Sequence, residues 1–257
     1  MTLSSLKKPP SFRVDGRQAL VTGAGRGIGA AAAMALAQAG AEVTLVSRSV
    51  SELQAVAGEI GAQGGVARVL PLDVTNSNAV RDAVAAYGPF QILVNSAGTN
   101  RPSTITEQHD ADIDAVLDLN VKSTMFVTRE VARGLISAKL DGSIITISSQ
   151  MGHVGGPKRS LYCATKHAVE GMTKALAWEF GPHRIRINTL CPTFIETAMT
   201  ADMFKDAQFR SYVESRIALG RLGQLSEIMG PVVFLASDAS SLVTGSALMI
   251  DGGWTAA

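Results

Sequence analysis

The chain has 257 residues, a length that suits one large α/β domain. Hydrophobic residues make up 46% and charged residues 18%, which allows a sizeable core and excludes a disordered chain. Lys plus Arg total 23 against 22 acids, a net charge of +1, so nothing in the balance points to a nucleic-acid partner or an anionic membrane.

Residues 1–13 read as a flexible N-terminal arm, because Pro9-Pro10 blocks helix and no periodic apolar pattern offers a face to bury. This segment lacks the apolar core of a signal peptide, and no apolar run in the chain reaches the roughly 18 residues of a bilayer span. A cytoplasmic protein is the expectation. Gln18–Thr22 reads as a first strand, followed by T-G-A-G-R-G-I-G over residues 22–29 and a helix through about Gln38. Glu42–Ser47 forms a second strand, and Ser49-x-x-Glu52 gives the next helix a capping-box start. Further strands fall at 66–70, 92–94, 143–148, 185–190 and 247–250. They are apolar on both faces, as in a parallel sheet covered by helices. Helical patterns lie near 77–87, 107–119, 121–138, 160–180 and 226–236, with Thr104-x-x-Glu107 as a second capping box. This alternation gives an α/β fold, a doubly wound, mostly parallel sheet with helices on both faces. Residues 14–257 are read as a single domain, with a helical flap near 193–225 that carries Met, Phe and charge but no strand.

Glycines at 23, 27 and 29 let the backbone turn sharply after a strand and approach a pyrophosphate, while the N-terminus of the following helix favours the anion. The spacing differs from G-x-G-x-x-G, so this piece alone also fits a simple structural turn. Farther on, Tyr162 and Lys166 stand one helical turn apart on one face, and Ser149 precedes the tyrosine by 13 residues. A phenol is a poor proton shuttle at neutral pH, and a fixed cation beside it favours the phenolate. Together, the glycine turn and the Tyr/Lys pair point to hydride-transfer chemistry. The two cysteines, Cys163 and Cys191, read as reduced core or pocket residues. No His/Cys/Asp/Glu cluster shows metal-ligand spacing, so no metal is expected.

In the order T-G-x-x-x-G-x-G, Asn95-Ser-Ala-Gly98, Asn120, Ser149, Tyr162-x-x-x-Lys166 and Asp251-Gly-Gly253, the chain resembles the short-chain dehydrogenase/reductase family over roughly residues 14–253. The resemblance implies a Rossmann-type fold and an NAD(P)-dependent oxidoreductase acting on CH-OH groups. It implies Tyr162 as general acid or base, Lys166 as the cation that lowers its pKa and holds the nicotinamide ribose, and Ser149 as donor to the substrate oxygen. Asn120 would hold a water linking Lys166 to solvent, or else only cap the helix that begins there. Gly23, Arg26, Gly27, Ile28, Gly29, Asn95, Ala97, Gly98, Pro192 and Thr197 would line the cofactor, with Asp73 and Val74 flanking the adenine. Asn95 also fits a tie between central strands, and Asp73 a cap for the following helix. Two departures stand out: Ser96 where the family usually has a second asparagine, and Thr193 after Pro192 where it usually has glycine.

No acid ends the second strand, where a ribose 2′-OH partner is expected; the chain reads Ser47-Arg48-Ser49 instead. Arg48 can face a 2′-phosphate, with Arg26 on its other side, so NADP is preferred and NAD remains possible. For substrate, Met151, His153 and Phe194 join Ser149, and the loops mix polar groups (Asn100, Arg101, Gln150) with apolar ones (Met199, Met203, Phe204). That suits a small-molecule polyol, sugar-derived or 3-oxoacyl compound, or an apolar ketone. By resemblance the protein is a homo-oligomer, a tetramer or dimer paired through the helices near 121–138 and 160–180. The alternative is a catalytically inactive nucleotide-binding regulatory protein of the same fold.

Overall fold

The computed structural model describes residues 9–201 and 203–256, so residues 1–8 of the predicted arm lie outside the described residues. In chain order the elements are β1 (Gln18–Thr22), α1 (Gly27–Gln38), β2 (Glu42–Ser47), α2 (Val50–Ala62), β3 (Val66–Pro71), α3 (Ser77–Tyr87) and β4 (Ile92–Asn95). There follow α4 (Asp110–Leu117), α5 (Ser123–Ala138), β5 (Gly142–Ile147), α6 (Ser160–Phe180) and β6 (Ile185–Pro192). The flap contributes α7 (Ala198–Ala201) and α8 (Ala207–Arg216), and the chain closes with α9 (Ser226–Ala236) and β7 (Ala247–Ile250). The seven strands form one parallel sheet in the order β3-β2-β1-β4-β5-β6-β7. The predicted doubly wound architecture is therefore the observed one.

Strand side chains alternate between faces, and the two faces feed two separate cores. Ala19, Val21, Val43, Leu45, Ile92, Val94 and Ile145 pack under α1, α2 and α9 through Leu36, Leu53, Ile60, Ile228 and Val232. Leu20, Val46, Leu93, Ile144 and Ile187 pack under α3, α5 and α6 through Val80, Val84, Val127, Leu135 and Phe180. Each fully buried aliphatic side chain contributes about 1.5–3 kcal/mol, and a one-residue slip would send every strand residue to the wrong core.

Two local readings are corrected. The Thr104-x-x-Glu107 box does not open α4: its side chains bond to each other at 2.8 Å and close a single 3-10 turn, Ile105–Glu107. The predicted helix break at residue 120 is absent. A π-helical turn, Asp118–Lys122, joins α4 to α5, and Ser123 and Thr124 hydroxyls donate to the carbonyls of Leu119 and Asn120 at 2.6 and 2.9 Å. Asn120 is therefore not a helix cap.

Over the C-terminal strand ends lies the flap. Phe194 packs against Phe204, Phe209 and Trp254 with ring centroids 5.8–6.0 Å apart. Leu219 N–H donates to the Gly252 carbonyl at 3.0 Å, which ties the flap's far end to the Asp251-Gly-Gly253 turn.

Candidate active site

Strand order reverses beside β1, which leaves a crevice between the C-terminal ends of β1 and β4. The glycine turn fills one side of it. Gly23 has φ 66°, and a β-carbon there would lie 2.9 Å from Ala97 Cα; one on Gly29 would lie 2.2 Å from the Gly23 carbonyl oxygen. Only hydrogen fits at either position, so the first turn of α1 seats directly on the strand end. Gly27 also has positive φ, 55°, and its open side faces Thr197. Ile28 packs partly buried against the core beneath. The N-terminus of α1 has no side-chain cap and no acid in its first turn, so its N–H donors lack a side-chain acceptor. Such a cradle fits the pyrophosphate of a dinucleotide.

Thr22 braces the turn, a role the sequence motif did not single out: its hydroxyl accepts from the N–H groups of Ser96 and Ala97 at 3.1 and 3.2 Å. Asn95 is buried and donates to Thr128 at 2.9 Å and Thr146 at 3.5 Å, tying β4 to α5 and β5. Asp73 accepts from the Thr75 N–H and hydroxyl at 3.0 and 2.7 Å, which holds its carboxyl below the usual range; the helix cap of α3 is Asn76 instead. Val74 is buried beside it.

At the end of β2, Arg48 is exposed and makes no hydrogen bond or ion pair with the described residues. Ser49 accepts from the Glu52 N–H at 3.4 Å, but the Glu52 carboxylate turns away to Arg26 Nη1, also at 3.4 Å. Half of the predicted capping box forms. The other half pairs with Arg26, while Arg48 has no ion pair among the described residues and acts only at longer range on Asp73.

From the end of β5, Ser149 reaches α6. Its hydroxyl accepts from the Met151 N–H at 3.1 Å and donates to Gln150 Oε1 at 2.8 Å, and it acts on the Tyr162 phenol to favour the ionised form. Ser148, one residue earlier, is buried on the other face, so pleat direction settles which serine meets the tyrosine. Lys166 is buried, donates to the Ile147 carbonyl at 2.8 Å and lies 5.4 Å from the centre of the Tyr162 ring. Burial pushes the phenol up to about 12, opposed by Ser149, and pushes the lysine down to about 8. In the protein alone, burial thus outweighs the expected help of the cation, and the phenol is held as an acid.

Asn120, in the π turn, accepts from Thr99 N–H at 2.8 Å and donates to the Thr99 carbonyl and the Thr165 hydroxyl at 2.9 and 3.1 Å. Its carboxamide locks the loop after β4 to α6 one residue from Lys166. Gly98 lies beneath, where a β-carbon would be 3.3 Å from Asn120 Oδ1.

Tyr162 and Phe194 pack, partly buried, on an apolar cluster that contains Met151, Val213 and Trp254. Arg101 pairs with Asp112 at 3.3 Å. Spacing in the chain gave no metal-ligand cluster, yet the fold brings His153, Glu170 and Cys191 within 4.8 Å of one another. Glu170 accepts from Thr189 at 2.9 Å and from the Cys191 thiol at 3.3 Å, with His153 Nε2 at 3.5 Å. These groups satisfy one another, and His153 presents that nitrogen inward. Cys163 and Cys191 are both free and buried.

A family model described as enoyl-(acyl carrier protein) reductase matches residues 23–255. Gluconate 5-dehydrogenase of Gluconobacter oxydans (strain 621H) is 40% identical over 254 residues, covering 97% of this chain and 99% of that protein. D-erythrulose reductase of Gallus gallus is 37% identical over 245 residues, covering 95% and 98%. The crystal structure of a gluconate 5-dehydrogenase from Burkholderia cenocepacia J2315, in complex with NADP and tartrate, is similar with a TM-score of 0.91 at 36% identity, covering 96% of this chain and 98% of that one.

Proposed function

Because the chain belongs to the short-chain dehydrogenase/reductase family, we propose that its chemistry runs through Ser149, Tyr162 and Lys166, positioned by Asn120. The protein is an oxidoreductase interconverting a secondary alcohol and a ketone, with NADP preferred: alcohol and NADP+ give ketone, NADPH and a proton. The relatives support catalysis and not the inactive regulatory alternative. One observation carries the residue assignment: a half-buried phenol, a serine hydroxyl and a lysine ammonium come together at the C-terminal end of β5.

NADP, when bound, supplies or accepts the hydride. The chain supplies the rest. Tyr162 Oη gives its proton to the oxygen of a ketone, or takes one from an alcohol. Ser149 Oγ donates to the same oxygen as charge builds there. Lys166 Nζ stabilises the phenolate and reaches the ribose, while Met151, Phe194 and the flap exclude water; His153 borders the same loop. Gly23, Gly27, Ile28 and Gly29 would hold the pyrophosphate and Arg26 would approach the 2′-phosphate, with Asp73 and Val74 flanking the adenine and Asn95, Ala97, Gly98, Pro192 and Thr197 lining the rest of the cofactor. Nicotinamide absorbance with NADPH and a set of ketoses, keto acids and 3-oxoacyl thioesters tests this reading; an inert enzyme against every class overturns it.

Arg48 meets the 2′-phosphate. Arg48→Ala is expected to lower kcat/KM for NADPH about tenfold to a hundredfold and to leave NADH within about twofold, as loss of a charge-assisted hydrogen bond predicts. Equal use of both cofactors by the unaltered enzyme would refute the assignment.

Residues 14–257 act as one catalytic domain in a cytoplasmic protein. Among the described residues no helix is long and apolar enough to cross a membrane. The assembly is a homotetramer or dimer, supported by apolar side chains left exposed on two neighbouring helices: Met125 and Ile136 on α5, and Trp178, 87% exposed, on α6. Light scattering is expected to give a multiple of the 26.8 kDa chain mass; a monomer mass would discard this.

A further inference from the structure

We propose that Arg159 binds a carboxylate of the substrate, so that the natural substrate is a hydroxy or keto acid rather than a neutral polyol. This rests on the hydride-transfer reading above and narrows its substrate class.

Arg159 stands three residues before Tyr162, and its carbonyl accepts from the Cys163 N–H at 2.7 Å, which places it at the first turn of α6. Its stem lies by Met151, a residue of the apolar cluster on which Tyr162 packs: a β-carbon on Gly156 would sit 3.0 Å from Met151 Cε and 3.6 Å from Arg159 Cγ. Nη1 of this guanidinium is buried and has no hydrogen-bond partner among the described residues. The ionisable groups near it are Tyr162 and Cys163, and no carboxylate among the described residues pairs with it. Burial lowers its pKa, in keeping with a cation that lacks a counter-charge.

Other arginines of this chain show that the fold can satisfy such a group when its role is structural. Arg186, half-buried like Arg159, donates from Nη1 to Ser240 at 2.7 Å and from Nη2 to the carbonyls of Leu235 and Ser237 at 2.9 and 3.1 Å. Arg101 has Asp112 at 3.3 Å. Arg159 alone of these three is left with an orphaned donor, and it is the one beside the proposed reacting hydroxyl. A buried polar group without a partner calls for an explanation, and the planar guanidinium fork matches a carboxylate. A substrate carboxylate there would place a neighbouring carbinol carbon toward Tyr162 and Ser149, whereas a neutral hydroxymethyl group would leave the cation unpaired. Selection for the acid follows from that asymmetry.

The test uses full-length protein with matched aldonate and polyol pairs, from glycerate and glycerol up to D-gluconate and D-sorbitol. For at least one pair, kcat/KM for the acid is expected to exceed that for the polyol by about a hundredfold, as a charge-assisted hydrogen-bond pair predicts. Arg159→Met is expected to bring that ratio near one, chiefly by raising KM for the acid, and Arg159→Lys to restore part of it. NADPH affinity checks that each variant is folded. No acid preference in any pair, or an equal loss for acid and polyol in Arg159→Met, overturns the proposal while leaving hydride transfer standing. A shift in oligomeric mass in Arg159→Met with substrate preference unchanged also overturns it, since the arginine would then pair with a second subunit. Titration of enzyme-bound NADPH fluorescence separates the two readings. Acids that bind the unaltered enzyme and not Arg159→Met, with no turnover of any compound, would support the carboxylate site and sink the hydride-transfer reading; equal binding of acids and polyols would sink the site.

Discussion

Tyr162→Phe is expected to lower kcat/KM by about 10²- to 10⁴-fold for both directions of the reaction, the range for loss of a positioned acid–base group. Phenylalanine keeps the ring in the apolar cluster with Met151 and Phe194, so the loss would report the hydroxyl and not a collapsed pocket. The pH dependence gives a second handle. With its hydroxyl pushed up to about 12, Tyr162 is protonated at neutral pH and needs no ionisation to act as donor in ketone reduction. Alcohol oxidation needs the phenolate, whose fraction rises about tenfold for each pH unit below that value. Oxidation is therefore expected to climb with pH and to flatten as Lys166 loses its charge near about 8, while reduction stays level over the neutral range. Steady-state rates in both directions measure this. A Phe variant with more than a tenth of normal activity, or one that keeps the oxidation slope, would take Tyr162 out of the mechanism.

Gly29→Ala is expected to abolish cofactor binding, with a Kd for NADPH raised at least about a hundredfold. The added carbon would lie 2.2 Å from the Gly23 carbonyl oxygen and 2.7 Å from its carbon, both backbone atoms of a turn so tight that a β-carbon on Gly23 itself would lie 2.9–3.0 Å from Ala97 and Ser96. The first turn of α1 would lift off the strand end, moving the pyrophosphate donors and costing about 1–3 kcal/mol of stability through overpacking. Gly58 and Gly61 in α2 serve as controls, since nothing lies within 4 Å of a β-carbon at either. Alanine at those sites is expected to be neutral or stabilising by up to about 1 kcal/mol. Isothermal titration with NADPH and thermal melts would show it. Normal binding by Gly29→Ala would mean that the glycine turn is not the cofactor cradle.

The strands were legible because parallel strands buried on both faces leave short unbroken apolar runs, and Ile144-Ile145 or Leu93-Val94 can hardly be read otherwise. What escaped was decided by side chains that meet only after folding. Glu52 has the spacing of a capping partner, but its carboxylate goes to Arg26, which no local pattern could reveal. His153, Glu170 and Cys191 come from a loop, a helix and a strand, so their cluster has no signature in the chain. Arg159 belongs to no motif; only the burial of Nη1 without a partner marks it. Lys166 was found by spacing, yet the balance between its charge and burial of the phenol depends on how much water the pocket retains, which residue order does not encode.

The wide turn at Asp118–Lys122 has a consequence for how α4 and α5 share their work. It carries one residue more than regular winding needs, so the two helices are out of phase by about 100°. That offset lets Asn120 look toward Thr165 while Val127, Val131 and Leu135 still lie flat on the sheet. Deleting a single residue in the turn would let it close to regular winding with the apolar stripe of α5 still on its core, but would move Asn120 from its place opposite Thr165. The extra residue thus displays the Asn120 amide while sparing the hydrophobic ridge, and its loss would cost the first without the second.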